Sequence, residues 1–328
     1  MNPHPTGEII EKAVLLAGRA PSLHNSQPWH WVFDGAALRL YAVPDRRLPA
    51  TDTAGRQRLL SCGIALDHLR VAMAAAGWRC SVARFPDPNR REHLATITFP
   101  PATVVTDADR DRAAAITRRH TDRRTFAAPT GWTDFETVLR TLIDPTDVLL
   151  TVLPPQSRPR LAHASELTAA LRRYDSEYQA ELHWWTGHTI ASSGVPRRAL
   201  STAQERARVD VGRSFPNELA ATARVELPSD RSTVIVLSTD TDTAEDLVRC
   251  GESLSTVLLE STVAGFSTCP LTHLIELRGS RAIVRELTGR SELPQVLVRI
   301  GIAAEPDDDV LPTPRRPLAE ILEMPGGG

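Results

Sequence analysis

CGIALDHLRVAMAAAGW spans residues 62–78, and CGESLSTVLLESTVAGF spans residues 250–266 of the same 328-residue chain. Cys, Gly, Leu, Ala and Gly recur between them at a constant offset of 188, and Phe266 answers Trp78. All but the last two residues of the first stretch lie in a predicted long helix, 54–76, rich in Ala and Leu. Each stretch is followed by β-like material, CSVARF after the first and QVLVRIGIA after the second. An internal duplication explains this shared order. Two unrelated core helices that both end at Ala-Gly-aromatic are the plainer alternative.

The offset fails in an informative place. APSLHNSQPWHW, residues 20–31, has no counterpart near VGRSFPNEL, where an added 188 would put it. Whatever this stretch holds, it occurs once. Around it the chain reads as a succession of short elements. Ile9, Ala13, Val14 and Ala17 share one face of a helix over 8–18. WHWVF and ALRLYAV flank Asp34-Gly35 as a hairpin, because the glycine tolerates positive φ. CSVARF and LATITF read as strands, and a helix near 107–119 leads into RRHTDRRTF, 118–126. Between the halves lie a polar helical region, 158–182, and a segment 183–215 with Gly and Pro breaks and two adjacent tryptophans. A long stretch without clear periodicity is usually functional. It reads as a lid or equally as an interface insertion.

Composition narrows the partners. A formal net charge of −2 argues against nucleic acid and anionic membranes. Lys12 is the one lysine, so nearly all of the 38 basic residues are arginine. An arginine therefore counts as functional only where a motif surrounds it. Cys62, Cys80, Cys250 and Cys269 form no C-x-x-C pair and no zinc spacing. The start, MNPHPTGEIIEK, lacks a signal-peptide pattern, and no run approaches the ~20 apolar residues of a membrane span. A reduced cytoplasmic protein without a metal site is the expectation.

No G-x-G-x-x-G follows a strand, no P-loop lysine exists, and no G-x-S-x-G elbow or H-E-x-x-H pair occurs. Acyl transfer and metal hydrolysis are poor matches. Three features remain. Asn25 carries an amide donor and acceptor that could meet a ring edge with alternating N–H and C=O groups, and Ser22 adds a hydroxyl. Pro21 and Pro28 stiffen that loop. RRHTDRRTF sets arginines around Thr121, a pattern suited to a phosphomonoester. LPTPRRPLAEIL, 311–322, places Arg315 and Arg316 between prolines before a short helix. Taken singly, each also reads plainly: a capped turn whose tryptophans fill the core, a solvated charge run, a surface turn.

Together the three resemble the FMN-dependent nitroreductase-like superfamily. APSLHNSQPW is similar to its A-P-S-x-x-N-x-Q-P-W element, and RRHTDRRTF to its R-x-[ST]-x-R-x-F element with one extra residue before Phe126. GESLSTVLLESTVAGFSTCPL resembles its long helix and following loop, with Ser and Thr in place of the usual Gln-Asn. QVLVRIGIA and PRRPLAEIL resemble its closing strand and basic tail. The matches span 20–322. Their order resembles the fused, double-length actinobacterial branch, which includes dormancy-associated mycobacterial proteins with a lid over the flavin.

The resemblance implies an α+β, three-layer fold in which one chain imitates a dimer. Its halves would be 1–105 and 106–328, with a lid-like insertion at 183–215. It implies one FMN, with Ser22 and Asn25 approaching the ring. Arg119, Thr121, Arg123 and Arg315 would serve the phosphate, with the choice among Arg118, Arg119, Arg123 and Arg124 open. Gly265, Phe266, Ser267 and Thr268 would pass beside the ring, and Leu271 would pack against a face. No side chain need be an acid or base, because the flavin carries the chemistry. The implied activity is hydride transfer from NAD(P)H to small electrophiles such as nitro or quinone compounds. The rival is a protein that sequesters or stores FMN beneath a closed lid. In both cases the partners are small molecules or the flavin alone. The chain would be a monomeric pseudo-dimer, with further dimerisation open.

Overall fold

The computed structural model describes residues 4–187, 192–196, 199–213, 215, 229–304 and 312–325. Its helices are α1 (Gly7–Ala17), α2 (Arg56–Ala75), α3 (Asp107–Arg118), α4 (Trp132–Leu142), α5 (Arg158–Arg172), α6 (Ser176–Gly187), α7 (Ala203–Arg208), α8 (Ala244–Val263), α9 (Arg278–Thr288) and α10 (Leu318–Ile321). The strands are β1 (Trp29–Phe33), β2 (Leu38–Ala42), β3 (Ser81–Arg84), β4 (His93–Thr98), β5 (Phe126–Ala127), β6 (Leu149–Leu153), β7 (Thr233–Thr239), β8 (Ser267–Leu271), β9 (Leu293–Ala303) and β10 (Leu322–Glu323). The class is α+β, as the sequence leads one to expect.

Two sheets form. One runs β10-β1-β2-β4-β3; in the other β6, β7, β9 and β8 pair in that order, and β5 joins the far end of β9. Without the edge strands β10 and β5, both sheets have one plan: two antiparallel strands, a 20-residue helix, then two more antiparallel strands. Sheet one packs on α2, sheet two packs on α8, and the two helices pack on each other. The layers are therefore sheet, paired helices, sheet. The duplication that seventeen positions suggested extends to topology.

At the centre, Gly63 of α2 meets Gly251 of α8. A Cβ on Gly63 would lie 2.1 Å from the Val248 carbonyl oxygen, and one on Gly251 would lie 2.2 Å from that of Leu60. Leu60 and Val248 are themselves 188 apart, so the contacts exchange under the same offset. That reciprocity is the signature of a two-fold contact. Only glycine lets the backbones approach this closely.

Local rules account for most elements. Thr106 and Asp109 form a capping box on α3, and the Thr243 hydroxyl accepts from the Asp246 amide at the start of α8. WHWVF alternates buried and half-buried positions, as a strand on a core must. Trp29 and Trp31 are fully buried there. The hairpin turn spans 34–37, with Gly35 at φ +96°. In α1 the buried face is Ile10, Ala13, Val14 and Ala17, one residue around from the predicted Ile9. The polar region expected as one helix over 158–182 is two, α5 and α6, interrupted at 173–175. The segment 183–215, expected to lack regular structure, contains the end of α6 and all of α7. Residues 188–191, 197–198 and 214 of that insertion lie outside the described residues.

Candidate functional site

The loop between α1 and β1 is held in an unusual shape. The Ser22 hydroxyl accepts from the Gln27 amide at 2.9 Å, and the Leu23 amide donates to Ser61 Oγ of α2 at 3.3 Å. His24, Asn25 and Gln27 take φ of +50°, +56° and +49°. Non-glycine residues adopt this region at a cost, and such strain persists only when the surroundings over-determine it. Here they do. Asn25 Nδ2 donates to the carbonyls of Gly194 at 3.0 Å and Pro314 at 3.1 Å. Gln27 Nε2 donates to Ser192 O at 2.7 Å, and its Oε1 accepts from the Arg316 amide at 2.8 Å. Yet Asn25 Oδ1 and His24 Nε2 are buried with no partner.

The four arginines of RRHTDRRTF separate by environment. Arg118 is exposed at the end of α3. Arg124 pairs with Asp122, Nη2 to Oδ2 at 2.7 Å. Against a burial that would raise it, the Arg124 hydrogen bonds hold the Asp122 carboxyl below its usual range. Arg123 donates to Ala199 O at 2.8 Å and lies over the Phe215 ring, 5.4 Å from its centroid. It thus holds the insertion. Arg119 is buried, and among the described residues its Nε and Nη1 have no partner; Nη2 donates to Arg19 O at 3.4 Å.

Arg119 has cationic neighbours. Arg315 donates to the carbonyls of Gly18, Arg19 and Ala20 just past α1, and to those of Thr313 and Pro314. Arg19 also donates to Thr313 O, at 3.2 Å. Among the described residues no carboxylate pairs with any of the three. Burial, with Arg19 adding its repulsion, lowers Arg119 to about 10. Burial and then Arg119 and Arg19 lower Arg315 to about 9. All three remain charged at neutral pH. Three arginines gathered around unpartnered N–H groups, with no counter-charge, can hold an anion by charge-assisted hydrogen bonds.

The fourth wall is the end of α8 and β8. Gly265 sits at φ +81° with no heavy atom within 4 Å of where a Cβ would stand. The Asp122 amide donates to Thr268 O at 3.0 Å, and Thr121 bridges Thr268, which ties the arginine loop to β8. Ser267 pairs with Gly301 of β9. Phe266 packs edge-on to Phe135, with ring centroids 5.0 Å apart. Leu271 is buried in the apolar cluster of sheet two with Leu274 and Ile275. Hence Ser22, Asn25, Arg119 and Arg315 converge at the loop and tail, and Thr121, Arg123, Ser267 and Thr268 converge at β8. Phe266 and Leu271 instead turn to apolar neighbours. Sequence reasoning passed over Arg19, His24 and Gln27, although all three lie in or beside the quoted stretch 20–31.

The insertion touches both sides. Ser192, Ser193 and Gly194 reach Gln27, Arg46 and Asn25, while Ala199 and Phe215 reach Arg123. Among the described residues there is no His, Cys, Asp or Glu cluster suited to a metal ion, and no helix long and apolar enough to cross a membrane.

The fold describes a protein of two like α+β units with a cationic junction between loop, arginine segment and tail. Comparison with known proteins supplies the family. The chain is 50% identical to "Putative NAD(P)H nitroreductase acg" of Mycobacterium tuberculosis over 97% of this chain and 96% of that protein. A second protein of that organism, likewise named as an NAD(P)H nitroreductase, is 38% identical over 99% of this chain and 94% of its own length. A third, 49% identical over 96% of this chain and 93% of its length, bears a name without a function. The chain belongs to this family of mycobacterial nitroreductase-like proteins. No family model matches it. Among solved structures, the FMN-dependent nitroreductase NfnB of Mycobacterium smegmatis in complex with NADPH is 16% identical, with a TM-score of 0.40, over 65% of this chain and 97% of that one.

Proposed function

We propose that this chain is an FMN-binding oxidoreductase of nitroreductase type that passes hydride from NAD(P)H to small electrophiles such as nitro or quinone compounds. The observation that carries this is Arg119: a buried guanidinium with two unpartnered nitrogens, two arginine neighbours and no carboxylate. The residues fit FMN. Arg119 and Arg19 would hold the phosphate, Arg315 would fix the loop around it, and Asn25 Oδ1 would accept from a ring N–H. Gly265 leaves open space beside the end of α8. When bound, FMN supplies the hydride chemistry, and the protein supplies binding, orientation and electrostatics.

In this proposal the two topologically equal units are halves, 1–105 and 106–328, of a single-chain dimer mimic in the cytoplasm. The loop of one half and the arginines and β8 of the other would form a single flavin site. Segment 183–215 would be its lid. Arg123, which holds Ala199, would then act on the lid, whereas Arg119 would act on the phosphate.

One observation favours the second function, FMN storage. Both amide hydrogens of Asn25 already go to Gly194 O and Pro314 O, so the insertion sits directly on the residue meant to meet the ring. Anaerobic mixing of the FMN-loaded protein with NADPH separates the two. Loss of the flavin band within seconds supports turnover. A band that survives for minutes overturns it and leaves storage.

A further inference from the structure

Helices α2 and α8 present a polar pair to the arginine pocket. His68 of α2 is fully buried, and its Nδ1 lies 2.8 Å from Ser255 Oγ of α8. Ser255 Oγ thus commits the Nδ1 side of the ring. The Nε2 side is not committed: it is buried and has no partner among the described residues. The next turn of each helix packs beside the arginine loop. Val71, one turn beyond His68, and Leu259, one turn beyond Ser255, pack with Ala115 and Ile116 at the end of α3, immediately before Arg119. Leu16, just before Arg19, joins the same cluster. Of the charged groups around the ring, Asp67 stands behind it on its own helix, with Ser255 facing it from α8, while Arg119 and Arg315 act on it from the loops.

We propose that His68 is a third ligand of the anion in this pocket, its Nε2 and a phosphate oxygen holding one proton between them. The proposal rests on the FMN reading and adds to it a residue that no motif marked. A buried imidazole nitrogen without a partner is costly. With Nδ1 held by Ser255, a monoprotonated phosphate oxygen would satisfy Nε2 by donating its proton to it. Burial, then Arg119 and Arg315, lower the protonation of the unliganded ring, so His68 waits neutral. Its Nδ1 is held by Ser255 from the opposite helix of the central pair.

The test compares FMN with riboflavin, which lacks the phosphate. Each is titrated into apoprotein by flavin-fluorescence quenching, for the wild type, His68→Leu and Arg119→Met, and the thermal midpoint of each apoprotein is recorded. The expected result for His68→Leu is an FMN Kd weaker by about tenfold or more, the scale of a hydrogen bond to a charged group. Riboflavin should change less than twofold, and the apoprotein should melt no lower than wild type. Unchanged FMN affinity overturns the proposal, as does an equal loss of both flavins. Arg119→Met guards the underlying reading. If it too weakens both flavins equally, the pocket does not hold the phosphate at all; if it is selective for FMN while His68→Leu is not, only the role of His68 fails.

Discussion

Arg119 and Arg315 carry the same charge in the same pocket and stand in opposite energetic positions. Arg315 satisfies five carbonyl oxygens at the end of α1 and in the tail, so its removal leaves buried acceptors bare. Arg315→Ala should destabilise the apoprotein by about 2–3 kcal/mol, read from the urea midpoint. Arg119 satisfies one carbonyl and leaves two nitrogens without partners. Arg119→Met should therefore leave the apoprotein as stable or more so, because an uncompensated buried charge is lost, while FMN affinity falls. A lower melting point for Arg119→Met than for Arg315→Ala would show that the two roles are reversed. The sequence motif resembled a phosphate-binding tail and put Arg315 in that role. It could not show that the neighbouring helix end would occupy the same guanidinium. The choice among Arg118, Arg119, Arg123 and Arg124 was equally hidden, since it depends on Asp122, Ala199 and solvent as partners.

Helices α2 and α8 were legible because their signal is local: apolar composition and a terminal glycine before an aromatic. The recurrence of Cys-Gly at their middles was legible too, but its meaning was not, because a close crossing needs both helices in place. Gly251→Ala tests it. Its new Cβ would collide with the Leu60 carbonyl, a backbone atom that cannot swing away. The cost should be about 3 kcal/mol or more, seen as a lower urea midpoint. Gly265→Ala is the control: a Cβ there meets nothing, so only the left-handed φ of +81° opposes it, by about 1–2 kcal/mol. Equal effects would mean the crossing is not tight. The break between α5 and α6 and the short helix α7 went unread because tertiary contacts, such as Arg158 with Asp210, decide where a polar chain turns. The strained 24–27 loop was unreadable for the same reason. Nothing in HNSQ announces left-handed backbone.

At the scale of the whole molecule, buried histidines contribute to the acid response. His24, His68 and His273 are buried and neutral, and burial pushes His273 down to about 3. Their folded values lie below the unfolded one, near 6.5, so the unfolded chain takes up more protons as acid is added. Stability is full above about pH 6.5 and falls below it, by about 2 kcal/mol at pH 5 for His273. Asp67 runs the other way. Burial raises it to about 6, so its ionisation weakens the fold as pH rises from about 4 to 6. Asp67→Asn should stabilise the protein at pH 7 by about 2–3 kcal/mol, with the gain gone below pH 4. Urea titrations at pH 4, 5 and 7 would check both slopes, and a gain that persisted at pH 4 would contradict the burial of that carboxyl. One feature of the tail reaches beyond equilibrium. β10 completes the first sheet beside β1 in parallel, Trp31 opposite Leu322, while Arg315 and Arg316 thread back to residues 18–29. β1 is thus flanked by residues made far later in the chain. During translation, Trp31 and its neighbours must wait for Leu322 before this pairing can form, so a stop codon near 310 would remove both a sheet edge and the Arg315 contacts of the cationic seam.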